Sequence, residues 1–198
     1  MSAVEPLSGK SDKSRLSSSD WEQAALDLLA EQGVAAVAVE PLARRLGVTK
    51  GSFYWHFPSR EALLKSALEL WEKQDQEAVF DQIDAIDDPR ERLYALFRRT
   101  SREIRSHVIY SHLLKAMDQP VVQPLMERVS TRRVNYLLTG YRALGMSRRD
   151  AMNRARLAYA AYIGILQMML QLKTMRMNHE EYEAYVEHIA ETLIPAAP

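Results

Sequence analysis

Apolar positions in the first third of the chain fall into short helical stripes separated by turn formers. Trp21, Ala24, Ala25, Leu28 and Leu29 recur at i, i+3, i+4, i+7 and i+8, the spacing of one helix face, with the capping box Ser19-Asp20-Trp21-Glu22 at the start and Gly33 at the end. A short second helix is expected with Pro41 in its first turn, Leu42, Ala43 and Leu46 facing inward, and Gly47 ending it. Thr49 caps a third through about Trp55, and Pro58-Ser59 resets the chain for a long helix from about Arg60 to Ile86. Later starts are marked by Asp88-Pro89, by Ser147 with Asp150 three residues on, and by Asn178 with Glu181 three residues on. Between them, 104–116 and 121–144 read as helices broken near Asp118-Gln119-Pro120, with Pro124 in the first turn of the later one. Strands have little support, because no alternating Val/Ile/Thr-rich run bounded by turns occurs, so the expected class is all-α with about nine helices.

Composition changes this picture only modestly. With 198 residues, 47% hydrophobic and 26% charged, the chain can bury a proper core and does not read as disordered. Cysteine is absent, which excludes disulfides, thiolate metal sites and thiol nucleophiles and fits a reducing cytoplasm. The first nineteen residues hold seven serines and no signal-peptide apolar core, so they read as a solvated arm and export is not expected. The longest uncharged run, Leu157 to Leu172, includes Gln167 and Gln171 and falls short of the roughly 20 apolar residues needed to cross a bilayer.

Charge alters the reading more. The net charge is zero, but residues 41–60 carry Arg44, Arg45, Lys50 and Arg60 with no acid, and the stretch from Lys10 to Arg15 adds three bases against Asp12. The N-terminal end therefore attracts anions while the remainder repels them.

The two short helices joined at Gly47 fit a helix-turn-helix, with small Ala43 at the crossing and Leu46, Val48 and Phe53 filling the gap. The run GVTKGSFYWHFPSREALL, together with the apolar pattern of helix one, closely resembles the DNA-binding domain of the TetR family of bacterial transcriptional regulators over about Arg15 to Leu64. That resemblance implies an N-terminal helix-turn-helix domain, about 19–64 after an arm of 1–18, followed by a helical ligand-binding and dimerisation domain over 65–198. The first turn of the third helix offers backbone amides, the hydroxyls of Thr49 and Ser52, and Lys50 to a phosphate or a guanine edge. Gly51 keeps that surface low enough for close approach. By resemblance, Tyr54 and His56 hold phosphates, and Arg60, where the family usually has lysine, clamps another. Arg15 and Arg44 complete the candidate DNA-binding set. Phe53 and Phe57 are core. Trp55 is either a groove contact or a lid on the small domain, His56 either a phosphate ligand or a structural histidine, and Arg44 and Arg45 either phosphate contacts or a solvated helix face. At Ala38 the sequence departs from the family pattern, in which a threonine usually caps the second helix and touches a phosphate.

Beyond about Glu61 no catalytic motif occurs, and periodicity carries the reading. Ala151, Ala155, Ala158, Tyr162, Ile165, Met169 and Leu172 form one stripe of the penultimate helix, and Leu157, Ala161, Gly164 and Met168 a second. The final helix adds Tyr182, Val186, Ile189 and Leu193. Two stripes imply burial on two sides, and in the family the last two helices pair with those of a second subunit. The expected dimer interface is Ala155, Ala158, Tyr162, Ile165, Met169, Val186, Ile189 and Leu193, with the choice of stripe facing the partner left open. By family resemblance a small effector binds inside the C-terminal bundle, and its candidate lining, chosen by residue type, is Trp71, Phe97, His107, Tyr110, Met117, Tyr136, Tyr162 and Met168. Apolar bulk with hydroxyl and imidazole tips suits an amphipathic organic molecule.

The function expected is thus a ligand-responsive, sequence-specific DNA-binding regulator, a repressor by family default, acting as a homodimer on operator DNA without cofactor or metal. The rivals are an effector-free DNA-binding structural protein and an all-helical enzyme. The second is weak, because there is no zinc-protease signature, phosphate loop or nucleophile elbow, and the five histidines have no familiar ligand spacing.

Overall fold

Helix α1, Ser18–Gln32, has its cap two residues before the expected Ser19. Ser17 is the N-cap: its side chain accepts from the Asp20 N–H while the Asp20 carboxylate accepts from the Ser17 N–H. The box is therefore Ser17/Asp20, because these side chains, and not those of Ser19 and Glu22, reach the first free amides. The computed structural model describes residues 16–196; of the expected arm of 1–18, residues 1–15, Arg15 among them, lie outside the described residues, and Ser17 and Ser18 belong to the cap and first turn of α1.

Nine helices follow one another among the described residues, with no strand. After a 3₁₀ turn, Val34–Ala36, come α2, Val39–Leu46, and α3, Lys50–Tyr54. Helix α4, Arg60–Asp75, runs on through the π turn Gln76–Phe80 and the last turn Asp81–Ile83. The bundle continues with α5, Pro89–Thr100, and α6, Ile104–Leu114. Helices α7, Val122–Ala143, α8, Arg148–Leu166, and α9, His179–Leu193, complete it, with α8 prolonged by a second π turn, Gln167–Gln171. The caps at Asp88, Ser147 and Asn178 all form, each side chain accepting a backbone N–H of the first turn. Thr49 and Ala38 occupy N-cap positions without a side-chain cap bond, so α2 and α3 are held by packing.

The apolar core does not divide where the motif ends. One cluster runs from Trp21, Leu42 and Phe53 through Leu64, Leu68 and Trp71 of α4 to Tyr110, Leu113, Val122, Val129 and Leu166. A second joins Val79 and Phe80 to Leu93, Tyr141, Ala155 and Leu193. The boundary expected near residue 64 therefore falls inside α4 and inside one continuous core. At the far end of α1, Gly33 has a φ of 87°, and a Cβ built there would lie 3.0 Å from the His112 ring of α6, so the turn is glycine both for its backbone and for the closeness of α6.

Candidate nucleic-acid interface and buried cavity

Gly47 joins α2 to α3 with φ 66° and ψ 31°, a left-handed turn, and the Val48 N–H donates back to Ala43. Phe53 is fully buried, edge-on to Trp21 with centroids 5.4 Å apart, and Phe57 packs 6.0 Å from it. Those contacts fix the inner face of α3 and leave Thr49, Lys50, Gly51, Tyr54 and Trp55 exposed and Ser52 and His56 half-buried. Trp55 is no lid, because it is 83% exposed, and Tyr54 is 62% exposed. A Cβ at Gly51 would meet only Thr49 Oγ1, at 3.6 Å, so nothing inside the chain requires glycine there.

The basic residues divide. Lys50 pairs with Glu40 across α2 and α3, and both side chains remain more than half exposed. Arg45 makes two hydrogen bonds to Glu31, of 2.7 and 2.6 Å, while Arg44 is exposed. Arg60 departs from its expected place as an outward clamp: Nε donates to the Val37 carbonyl and Nη2 to that of Val34 at 2.9 Å. Its guanidinium ties the turn after α1 to the start of α4. His56 Nδ1 lies 3.5 Å from Ser18 Oγ and its ring 6.5 Å from Trp21.

A cavity of about 110 Å³ lies in the C-terminal bundle, with walls from each of α4 to α9. Its lining is largely apolar, including Phe80, Leu96, Phe97, Leu137, Ile165 and Ile189. Of the expected lining, Phe97, His107 and Tyr162 are brought together here. Trp71 and Tyr110 lie behind this wall in the core. Met117 and Met168 are exposed by more than a third, and Tyr136 turns away to donate to Asp84, because Met117 lies in the turn after α6 and the other two sit on other faces of their helices.

Polar groups reach the cavity through one network. Arg133 Nη2 donates to Asp75 Oδ2 at 2.8 Å and Nη1 to the Tyr162 hydroxyl at 3.2 Å, and the guanidinium stacks 4.7 Å from the Tyr110 ring centroid. Ser106 Oγ donates to the other Asp75 oxygen at 2.8 Å and accepts from Trp71 Nε1 at 3.1 Å. Asp75 and Arg133 are 5% and 8% exposed, so the pair is a desolvated one that needs these extra bonds. Burial, with the nearby Arg133 charge, pushes His107 down to about 4, and burial pushes Tyr162 up to about 12, so both are neutral near pH 7.

Residues 23–78 match the family model described as bacterial regulatory proteins, tetR family. The tetracycline repressor protein class A from transposon 1721 of Escherichia coli is 49% identical over 47 residues, 24% of this chain and 22% of that protein. The regulator SrpR of Pseudomonas putida is 26% identical over 110 residues, 48% of this chain and 52% of that protein. The chain thus spans about half or less of these curated relatives. Among solved structures, a transcriptional regulator from Rhodococcus sp. Rha1 matches with a TM-score of 0.73 at 20% identity, covering 90% of this chain and 94% of that one. AibR, in complex with isovaleryl coenzyme A and operator DNA, matches with a TM-score of 0.66 at 17% identity, covering 90% and 98%. The match to the tetR family model is confined to residues 23–78, the helix-turn-helix head and the first part of α4, while the likeness to the solved structures shows the fold over the rest of the chain.

Within this fold, the stripe expected at a dimer interface is largely spent inside the chain. Ala155, Ala158, Val186 and Leu193 are buried against their own bundle, Tyr162, Ile165 and Ile189 line the cavity, and Met169 is half-buried in the second π turn. The outward-facing positions are Leu157 and Met168 of the other stripe, 56% and 39% exposed, together with Leu172 from the end of the first, 65% exposed, and a Cβ at Gly164 would meet nothing within 4 Å. Asp75 and Arg133 had no place among the expected site residues. Their signal was a charge on an apolar stripe, Leu68, Trp71, Asp75, Val79 on α4 and Val129, Arg133, Leu137, Tyr141 on α7.

Proposed function

We propose that this chain is a TetR-family DNA-binding transcriptional regulator, a repressor that acts in the cytoplasm as a homodimer and leaves its operator when a small, largely apolar or amphipathic molecule occupies the cavity. The observation that carries the reading is that α4 serves both ends: it begins behind the exposed α3 surface and supplies Asp75, Val79 and Phe80 to the cavity wall. A ligand that prefers one placement of α4 shifts the spacing of the two α3 helices in a dimer. A coupling of about 1 to 3 kcal/mol weakens DNA binding roughly 5- to 150-fold. On the DNA side, Tyr54, Trp55 and the bare backbone at Gly51 suit a partner that comes close, and Lys50, Arg44, Thr49 and Ser52 suit a phosphate-rich one. A five-residue recognition helix needs a second copy for useful affinity, and the surface formed by exposed Leu157, Met168 and Leu172 with half-buried Gly164 is the one we assign to that copy. AibR, observed with an acyl-coenzyme A and operator DNA, carries the same two kinds of partner on this fold.

The test is selection of fragments from a random duplex pool by the purified protein, followed by affinity against salt. Roughly palindromic sites with half-sites about one helical turn apart, or a multiple of that, are expected. Lys50→Ala should flatten the slope of log affinity on log salt by about one, and Tyr54→Phe should weaken binding by less. No enriched sequence, or unchanged slopes in Lys50→Ala, would count against the reading of this surface.

A further inference from the structure

One fully buried polar atom of the cavity wall is left without a partner among the described residues. His107 is 7% exposed, lines the cavity and bonds the Thr100 backbone, while its Nε2 is buried with no hydrogen-bond partner. A backbone carbonyl accepts, so the ring proton sits on Nδ1 and Nε2 presents a lone pair. A buried acceptor left unmet costs free energy unless something donates to it. Beside it, ring centroids 5.5 Å away, Tyr162 accepts from Arg133, and its own hydrogen has no acceptor among the described residues.

We infer that the effector is a neutral, mainly apolar molecule bearing a hydroxyl, which donates to His107 Nε2 and accepts from Tyr162. This rests on the effector reading above and adds the ligand's chemical class. An anionic ligand finds no free cation in the cavity wall, because Arg133 is held by Asp75 and by the ring faces of Tyr110 and Tyr162. Of the two carboxylates in the cavity wall, Asp75 is already bonded twice, by Arg133 and Ser106, and Glu103, at the N-cap of α6, is only half-buried and so a weak, solvated counter-ion for a cationic ligand. A wholly apolar ligand would seal Nε2 from water and leave it unmet, which is the costly outcome.

The experiment is calorimetric titration of the full chain near pH 7 with four probes of one shape: 4-butylphenol, its methyl ether 4-butylanisole, 4-butylbenzoate and 4-butylbenzylamine. The phenol should bind roughly tenfold or more tightly than the ether, and both charged probes more weakly than the phenol. In His107→Leu the phenol and the ether should converge to within about twofold, and His107→Gln, which keeps an acceptor, should restore part of the difference. The wild-type comparison stands alone should either variant misfold. Equal binding of phenol and ether to the wild type overturns the hydroxyl inference and leaves the effector cavity standing. Tightest binding by the benzoate or the amine overturns it in favour of a charged ligand. Binding of none of the four overturns both the inference and the cavity reading on which it rests.

Discussion

In the helix-turn-helix head the side chains with chemistry stay in solvent, with Tyr54 62% and Trp55 83% exposed and Lys50 and Arg45 paired only at the surface. In the C-terminal bundle the corresponding groups are taken inside: Asp75, His107 and Arg133 are each less than a tenth exposed. The difference follows from the partners proposed for each. A duplex is large and heavily charged, and it can be met by a surface that remains hydrated until contact. A small molecule has few atoms with which to gain affinity, so its site must be dry and its polar contacts few and fixed. The bundle meets that need at a cost in its own stability, through a desolvated ion pair and an unmet imidazole nitrogen. The head keeps one such unmet atom, Trp21 Nε1, but no desolvated ion pair, and its solvent-facing residues can change with small effect on folding.

The largest effect that would sharpen this contrast is in the ion pair. Arg133→Met leaves Asp75 buried without its cation and should destabilise the chain by about 3–5 kcal/mol in urea unfolding, whereas Arg45→Ala in the head should cost about 1 kcal/mol or less. Similar values for the two would mean that the Asp75 pair is hydrated in solution, and the comparison would break. The two stripes of α8 give the next pair. Ala158→Arg buries an unpaired charge in the chain's own core and should unfold it, while Gly164→Arg should keep the helical circular dichroism and turn a dimer into a monomer on sedimentation. A wild-type monomer at micromolar concentration would remove the dimer from the proposal.

Acid offers a third test. Because His107 is held down to about 4 when folded, against 6.5 when unfolded, the unfolded chain takes up its proton first as pH falls below 6.5. Stability should therefore fall between about pH 6.5 and pH 4, by up to about 3 kcal/mol from this group, and the fall ends once the folded imidazole also protonates. Arg133 on α7 and Asp75 on α4 are the charges facing the ring, the first lowering and the second raising its affinity for the proton. Subtracting the curve of His107→Leu isolates the contribution from those of the carboxylates, and superimposable curves would place the imidazole in water. The smallest effect belongs to the head. Gly51→Ala should raise stability by up to about 1 kcal/mol through helix propensity, since its Cβ meets nothing closer than 3.6 Å, yet weaken DNA binding. Unchanged DNA affinity would mean that no partner comes close at Gly51.

The amino-acid sequence by itself determined the helices and the head. Stripe spacing, Gly33, Gly47, Asp88-Pro89, Ser147 and Asn178 act within a few residues of themselves, so their consequences are local and legible. The short gap between Gly47 and Phe53 likewise holds its contacts inside one small motif. Tertiary structure alone decided which face of each C-terminal helix meets which neighbour. Both stripes of α8 are apolar, and only the packing of α8 on its neighbours turned Ala155 and Ala158 of one inward and left Leu157 and Met168 of the other facing solvent. It also turned Arg60 from an expected outward clamp to the Val34 and Val37 carbonyls, and brought Asp75 to Arg133 across 58 positions of chain. Periodicity says that a face is buried, but a buried charge is tolerable only opposite its partner, and that pairing belongs to the packing of the bundle and not to any one segment.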